Sequence, residues 1–309
     1  MTTLLLSHPT FADHAPPEGH PERPDRIRVV NEVLEREEFG DLKREQAQIG
    51  NRDDVLRAHP EEYVEMIEQA SPEEGLVQLD GDTYMGPQSL NVTMRGIGAM
   101  TRAVDEVVAG NVHNAFCAVR PPGHHAEKVR PMGFCIYNII AIAAHYARAH
   151  HGLERVAVVD FDVHHGNGTQ DIFWQTRDLM YASTHQMPLF PGTGARGETG
   201  VGNIHNAPLS SGADGDDFKQ AFNNTVFPAL DDFRPDLLLV SAGFDAHRND
   251  PLASVNLVEE DFNWVTLKLM DYADKYCDGR LVSVLEGGYD LDGLTASVSA
   301  HVTALMQAR

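Results

Sequence analysis

The sequence feature that most constrains the fold is a short apolar run that ends in a group of acids and histidines. Residues 155–159 are rich in valine, which is typical of a buried strand, and residues 160–170 contain small turn-forming residues. The acids and histidines therefore lie at the carboxyl end of a strand, which is where open α/β sheets bind ligands. Because strand side chains repeat every second residue, Asp162 and His164 point the same way.

This pair is open to two interpretations. Carboxylate and imidazole suit zinc and its neighbours in the transition series, provided that a third ligand comes from elsewhere in the chain. Alternatively, Asp162 caps the next helix and His164 is a buried polar residue without a metal. The context in the rest of the chain decides between them.

Composition narrows the class of protein. The 309 residues, 42% of them hydrophobic, suffice for one large α/β domain or two small ones with a sizeable core. No apolar run approaches the ~18 residues that span a bilayer, and residues 1–7 have the pattern of a first strand and not of a signal peptide. The three cysteines, Cys117, Cys135 and Cys277, support no disulfide framework, so we expect a cytoplasmic protein.

The net charge of -22 argues against nucleic acid as a main partner, since phosphates require a basic surface. An acidic surface attracts cationic substrates such as lysine-rich tails or polyamines, although solubility alone is the simpler explanation. We therefore predict neither a nucleic-acid partner nor a membrane partner.

Strands and helices are predicted to alternate along the whole chain. The predicted strands are residues 1–7, 115–119, 155–159, 179–184, 235–241 and 281–285, and the predicted helices are residues 27–34, 53–69, 89–109, 137–151, 171–175, 216–230, 259–276 and 294–306. This order, without linker or repeat, predicts one α/β domain over residues 1–309 with a mostly parallel central sheet. We expect the proline- and histidine-rich loop of residues 7–26 on the surface or at the mouth of a pocket.

Three further predicted strands also end in residues that can do chemistry. His124 and His125 follow one of them on a stiff loop, where adjacent histidines suit catalysis but equally suit solvent. Asp245 follows another and is the obvious third metal ligand, and Tyr289 follows the last predicted strand. Because the carboxyl ends of parallel strands share one edge of a sheet, we expect all of these side chains to converge.

Taken together and in this order, these residues resemble the active-site set of the zinc-dependent histone deacetylases, which share their fold with the arginases. The resemblance runs from residue 20 to residue 289, nearly the whole chain. It implies a single-domain, three-layer fold of the arginase and deacetylase type and one zinc ion per chain. It also implies a role for each site residue: Asp162, His164 and Asp245 as metal ligands, His124 and His125 as tandem histidines of which the second is the general base, Asp160 as the partner of His124, and Tyr289 as the group that polarises the substrate carbonyl.

The same resemblance implies a narrow substrate tunnel. The residues implied to contact substrate are Phe134 and Phe190 as aromatic walls, together with Gly133, Asp82 and Leu252. Arg26 falls where the family has an arginine in an internal acetate channel. A structural potassium site is implied by four positions: Asp160, Asp162, His164 and Ser183.

Two departures place the chain within the family. Asn167 stands where class I members have an aspartate beside the second histidine, and an asparagine there resembles class II. Bacterial class II-like amidohydrolases are therefore the closest resemblance. Leu252 occupies the position where a polyamine-selective member has a glutamate, and a leucine cannot pair with a polyamine ammonium group.

The resemblance implies hydrolysis of an acyl amide by water that a metal ion and His125 activate, with acetate as a product. An acetylated lysine peptide, an acetylated polyamine and other small acylated amines all fit the tunnel. A binuclear manganese ureohydrolase is a rival, but Asp245 is followed by Ala246 and His247 and so lacks a second aspartate. A rival of another class is a non-catalytic acyl-lysine binding module. The oligomeric state stays open, and a homo-oligomer is compatible with the sequence.

Overall fold

A parallel sheet of eight strands forms the centre of the computed structural model, which describes residues 2–307. The described strands are β1 (Thr3–Ser7), β2 (Lys43–Gln46), β3 (Val77–Gln78), β4 (Tyr84–Met85), β5 (Asn114–Cys117), β6 (Val156–Asp160), β7 (Leu179–Gln186), β8 (Ile204–Leu209), β9 (Leu237–Ala242) and β10 (Leu281–Leu285). The order in the main sheet is β2-β1-β5-β10-β9-β6-β7-β8, and β3 pairs with β4 in a separate hairpin. All neighbouring strands of the main sheet run parallel, which confirms the predicted fold class.

Helices cover both faces of this sheet. The α-helices are α1 (Asp25–Leu34), α2 (Arg52–Val55), α3 (Glu61–Ala70), α4 (Ser89–Val108), α5 (Ile139–His151), α6 (Asn167–Phe173), α7 (Gly215–Ala221), α8 (Phe227–Phe233), α9 (Glu259–Tyr276) and α10 (Leu291–Met306). One layer contains α4 packed on α5, and the other contains α10 packed on α1 and α9. Within residues 2–307, no helix has both the length and the apolar character needed to cross a membrane.

The strands that carry the site are the most apolar ones. All residues of β6, β9 and β10 are buried, because helices cover each strand on both sides. Continuous apolar runs are typical of parallel strands in that position, whereas alternating patterns belong to sheets with one solvated face. This explains why these strands were predictable from the sequence nearly to the residue.

Several other elements differ from the prediction. The predicted helix over residues 53–69 is two helices, α2 and α3, because Pro60 precedes α3 and disfavours a helical conformation at the residue before it. The predicted helix over residues 216–230 runs from α7 to α8 through a π-helical turn, Phe222–Val226. The edge strands β2 and β8 were not predicted, since one is a run of polar residues and the other contains Pro208.

The expectation of a surface loop at residues 7–26 holds for residues 15–21, which are exposed or half-buried, but is wrong for His14, Glu22 and Arg26, which are buried. Glu22 is fully buried and forms ion pairs with two buried arginines, Arg120 at 2.5 Å and Arg26 at 3.0 Å. Burial alone would raise the pKa of Glu22, but these charges and that of His14 lower it to about 2. His14 is also buried, 3.5 Å from the Glu22 carboxylate. The segment is thus bound to the core by charge pairs that a sequence pattern does not reveal.

Candidate active site

The ends of two adjacent strands bring three potential metal ligands together. Asp162 and His164 follow β6, and Asp245 follows β9, the neighbour of β6 in the sheet. Their ligand atoms all lie within 4.8 Å of one another, and all three residues are buried. His164 Nδ1 lies 3.0 Å from Asp245 Oδ2 and 3.2 Å from Asp162 Oδ1. Within residues 2–307 this is the one group of three such side chains, so its geometry fits a single metal ion.

The electrostatics of these three side chains favour a bound cation. Burial raises the pKa of Asp245 to about 7, and the nearby charge of Asp162 adds to this effect. Although burial opposes it, the attraction of Asp245 raises the pKa of His164 to about 10. Two buried carboxylates that face each other are costly unless a positive charge lies between them. A donor set of two carboxylates and one imidazole suits a divalent ion of the zinc type.

Backbone groups fix the orientation of both carboxylates. The backbone N–H of Gly287 donates to Asp162 Oδ2 at 2.8 Å, and that of Val163 donates to Asp245 Oδ1 at 2.8 Å. Gly287 has no room for a side chain, because a Cβ atom there would collide with the carboxylates of Asp245 and Asp162. Such outer contacts typically orient the ligands of a metal site.

The two tandem histidines lie beside these residues but have different partners. His124 Nδ1 is 2.9 Å from Asp160 Oδ2, which also accepts a hydrogen bond from the Tyr181 hydroxyl at 3.0 Å. His125 Nδ1 is 2.8 Å from the side-chain oxygen of Asn167, at the start of α6. The family resemblance implied the pairings of His124 with Asp160 and of His125 with Asn167. The contact of Tyr181 with Asp160 was not predicted, because Tyr181 lies within the apolar strand β7.

Glu286 is a further buried acid at this end of the sheet that the sequence analysis did not single out. Its Oε2 accepts hydrogen bonds from the backbone N–H groups of Gly123 at 2.7 Å and His124 at 3.2 Å. Its Oε1 accepts from the Ser241 hydroxyl at 3.0 Å. Burial raises the pKa of Glu286 to about 7. Glu286 thereby holds the loop of His124 and His125 against the ends of β9 and β10. Its position directly after an apolar strand is the sequence signal that could have identified it.

Asn138 supports the same loop from the other side. Its side-chain NH2 donates to the carbonyl of Ala126 at 3.1 Å and to that of His124 at 3.4 Å, the two residues that flank His125. Its side-chain oxygen caps α5 by accepting from the backbone N–H of Ala141 at 3.0 Å. The backbone N–H of Asn138 in turn donates to buried His59 at 3.0 Å. Long-range contacts of this kind have no short sequence motif.

A cavity of about 260 Å³ lies beside His164, one of the three potential metal ligands. Its lining consists of Asp82, His125, Gly133, Phe134, His164, Leu189, Phe190, Leu252 and Tyr289. All five residues that the sequence analysis assigned to substrate contact are therefore in one place, and Leu189 is an addition. The Phe134 ring lies edge-on to that of Tyr289, with centroids 5.8 Å apart, and the Phe190 ring lies edge-on to that of His125 at 5.1 Å.

Hydrogen bonds shape the mouth of the cavity. Asp82 Oδ1 accepts from the backbone N–H of Gly133 at 3.1 Å, and its backbone carbonyl accepts from His20 Nε2 at 3.0 Å. The His20 ring also packs against Phe134, with centroids 4.6 Å apart. The Asp250 carboxylate accepts hydrogen bonds from the backbone N–H groups of two residues that line the cavity, Tyr289 at 2.7 Å and Leu252 at 3.0 Å.

Arg26 lies behind the cavity and under Tyr289. Its guanidinium is fully buried, 4.9 Å from the centroid of the Tyr289 ring, and donates to the carbonyls of Gly288 at 2.6 Å and Glu286 at 2.5 Å. Ser183, the remaining predicted residue, lies opposite Asp160 in the pairing of β6 with β7, and its hydroxyl is 2.9 Å from His185 Nδ1. The structure thus brings every predicted site residue to this end of the sheet, while their roles stay predictions.

The chain is similar to known proteins over nearly its whole length. Residues 20–305 match the family model described as the histone deacetylase domain. The chain belongs to the histone deacetylase family. A histone deacetylase-like amidohydrolase of Pseudomonas aeruginosa is 40% identical over 88% of this chain and 73% of that protein. A probable deacetylase of Methanothermobacter thermautotrophicus is 39% identical over 98% of this chain and 90% of that protein.

A solved structure supports the same assignment. The crystal structure of the HDA15 HD domain matches this histone deacetylase family chain with a TM-score of 0.93 at 34% identity, over 98% of this chain and 88% of that one. Family membership and the names of these relatives support an enzyme of the deacetylase or amidohydrolase class. The predicted family and the predicted fold are confirmed.

Proposed function

We propose that this protein is a zinc-dependent amidohydrolase that removes acetyl groups from N-acyl-lysine-like amines and releases acetate. One observation carries the proposal. The three potential ligands lie together, and one of them, His164, lines the same cavity as His125 and Tyr289. A cavity of this volume with two aromatic side chains in its wall suits a slender acyl-amine chain.

Zinc held by Asp162, His164 and Asp245 would supply Lewis-acid polarisation of the amide carbonyl and of the attacking water. His125 is the proposed general base. Burial lowers the pKa of His125 far below its ordinary value, and the charges of His124 and His164 contribute, so the ring is neutral at pH 7. A neutral imidazole whose Nδ1–H is donated to Asn167 has a free electron pair on Nε2, with which it can accept a proton from water.

Tyr289 is the proposed donor to the oxyanion that develops on the substrate carbonyl. Burial raises the pKa of its phenol well above the ordinary value, and nearby Asp245 and Asp162 add to this, although Arg26 opposes it. The hydroxyl therefore keeps its proton and can donate it in a hydrogen bond as the amide carbonyl gains negative charge. The bond between Asp250 and the Tyr289 backbone holds the phenol at the cavity.

The final step is protonation of the leaving amine. Although burial opposes it, the charges of Asp160 and Asp162 raise the pKa of His124 well above the ordinary value, so that ring holds a proton more tightly than His125 does. The proton that His125 has taken from water is therefore the one available for transfer to the amine nitrogen. The C–N bond then breaks, and acetate and a free amine leave.

Acetyl-lysine in a peptide is the substrate that we favour, and acetylated polyamines or other small acylated amines are the alternatives. Leu252, which lines the cavity, is apolar and offers no charge to a polyamine ammonium group. The overall charge of -22 attracts cationic peptides and cationic amines alike, so it does not distinguish between these substrates.

The test is turnover by the purified protein before and after removal of metal with a chelator. We expect release of acetate from an acetyl-lysine peptide, loss of this activity after chelation, and recovery with one zinc ion per chain. Acetylated polyamines, other acylated small amines and longer acyl-lysines form the remaining arms of the screen. Binding without turnover would favour the non-catalytic module, and a requirement for two manganese ions would favour the ureohydrolase.

Three finer expectations belong to the same proposal. A structural potassium ion near Asp160, Asp162, His164 and Ser183 is supported by the family resemblance, and exchange of potassium for sodium in thermal-stability assays tests it. A cytoplasmic location and assembly into a homo-oligomer are tested by fractionation and by light scattering on the purified protein.

A further inference from the structure

The side-chain amide of Asn167 has a different partner on each side. Its oxygen lies 2.8 Å from His125 Nδ1. Its NH2 group donates to Glu127 Oε1 at 2.7 Å and to the Met132 sulfur at 3.2 Å. Asn167 therefore connects His125 to Glu127, which is partly buried on the loop after the tandem histidines.

The orientation of this amide sets the tautomer of His125. The oxygen and the NH2 group of an asparagine have nearly the same shape, so rotation by half a turn exchanges them without steric cost. In the observed orientation His125 must donate from Nδ1, which leaves Nε2 free to accept a proton. In the rotated orientation the NH2 group would face Nδ1, the ring proton would move to Nε2, and the base would be lost.

Glu127 selects between these orientations. An ionised carboxylate accepts hydrogen bonds and cannot donate them, so Glu127 tolerates the NH2 group of Asn167 and repels its oxygen. The Met132 sulfur is a weak acceptor and prefers the same orientation only slightly. We propose that Glu127 is a positioning residue whose carboxylate locks the Asn167 amide and thereby keeps the His125 proton on Nδ1. The proposal rests on the proposed function in one respect, namely that His125 is the general base.

The loop is built to present Glu127 to this amide. The backbone N–H of Glu127 donates to the carbonyl of Arg130 at 2.9 Å, which closes a tight turn. The backbone N–H of Lys128 donates to Asp171 at 2.9 Å, and Asp171 lies one turn after Asn167 on α6. Within residues 2–307, Asn167 is the sole hydrogen-bond partner of the Glu127 carboxylate, although Lys128 and Arg130 are its neighbours in sequence.

A double-mutant cycle tests the coupling. Glu127→Ala leaves the two amide orientations nearly equal in energy, so about half of the molecules keep Nε2 free, and we expect kcat to fall about twofold with little change in KM. In an Asn167→Asp background both side-chain oxygens accept hydrogen bonds, so the orientation of this side chain no longer affects the His125 tautomer. We therefore expect Glu127→Ala to cause no further fall in kcat in that background. Lys128→Ala, an exposed side chain on the same loop, is the control. An equal fall in both backgrounds would overturn the proposal, because it would indicate a structural role.

The ring tautomer gives a readout that does not depend on turnover. In zinc-loaded protein labelled with 15N-histidine, we expect the His125 resonances of an Nδ1–H ring in the wild type and a mixture of tautomers in Glu127→Ala. An unchanged tautomer in a folded variant contradicts the role of Glu127. A changed tautomer with undiminished turnover would support the role of Glu127 but would show that His125 is not the general base. The two proposals can therefore be contradicted independently of each other.

Discussion

His124 and His125 lie with their ring centroids 4.0 Å apart, yet their pKa values shift in opposite directions. Both rings are buried, and burial alone lowers the pKa of each. A carboxylate, Asp160, contacts His124 and reverses the shift, whereas His125 contacts a neutral amide and also experiences the charge of its neighbour. Two adjacent buried rings thus differ in their tendency to hold a proton, because their hydrogen-bond partners differ in charge.

We expect His125→Ala to lower kcat by about 10²–10⁴-fold, the usual contribution of a general base, because no other free imidazole nitrogen would face the water. The zinc content should stay at one ion per chain, since His125 lies beside the three ligands and is not one of them. Steady-state kinetics on an acetyl-lysine peptide and metal analysis of the same preparation check this. A variant that is purified without zinc would show that the division between ligands and base is wrong.

Tyr289→Phe should lower kcat by about 10²–10³-fold, the effect of removing one donor from an oxyanion site, with the zinc content intact. The ring contacts with Phe134 and Arg26 persist in phenylalanine, so the cavity should keep its shape. Tyr276→Phe is a matched control, because its hydroxyl bonds to Asp231 on another part of the molecule. Equal activity of the two variants would exclude the phenol of Tyr289 from the reaction.

Gly287→Ala should weaken zinc binding by about 10–100-fold, as do other disturbances of the groups around metal ligands. The added methyl group would collide with the carboxylates of Asp245 and Asp162 and push them apart. Gly197→Ala is the control, since nothing lies within 4 Å of the position that its Cβ would take. Competition with a fluorescent chelator measures both affinities. Equal zinc affinity in the two variants would contradict the placement of Gly287 against the ligands.

The stability of the protein should depend on pH through His301, which is distant from the metal ligands in sequence. Burial lowers the pKa of His301 from 6.5 to about 3, and its ring nitrogens contact the hydroxyls of Thr266 and Ser283. Above pH 6.5 the ring is neutral in both states. As the pH falls below 6.5, the unfolded chain binds a proton that the folded protein does not, so stability falls by up to about 1.4 kcal/mol per pH unit.

A comparison with His301→Gln isolates this contribution from that of the other buried histidines. The variant should be less stable at pH 7.5, because glutamine fills the site imperfectly, but it should lose less stability between pH 6.5 and pH 4. Urea unfolding at several pH values measures both slopes. Parallel curves for the two proteins would show that His301 is protonated in the folded state.

The sequence was sufficient for the centre of the sheet and for the residues directly after its strands. Asp162, Asp245 and Tyr289 follow apolar runs, and the parallel arrangement brings such strand ends to one edge. The contributions of Glu127, Asn138 and Glu286 were not predicted, because each acts on a backbone or amide group far away in sequence. Spacing along the chain contains no information about partners of that kind.

The edge strand β2 was missed for a different reason. β2 is a run of polar residues whose side chains alternate between half-buried and exposed, so it has no apolar pattern to detect. It forms because the backbone of β1 offers hydrogen-bonding groups along its open side. Tertiary context determines such a strand, and its own side chains contribute little.

The buried charges of Glu22, Arg26 and Arg120 have a practical consequence for protein engineering. A peptide inserted between Glu22 and Arg26 would disturb the contacts of this acid with the two arginines, one of which supports the backbone beside Tyr289. We expect such an insertion to lower activity through Tyr289 without changing any of the three potential metal ligands. Libraries aimed at new substrate preferences should leave this stretch unaltered and vary Leu189 and Leu252 instead.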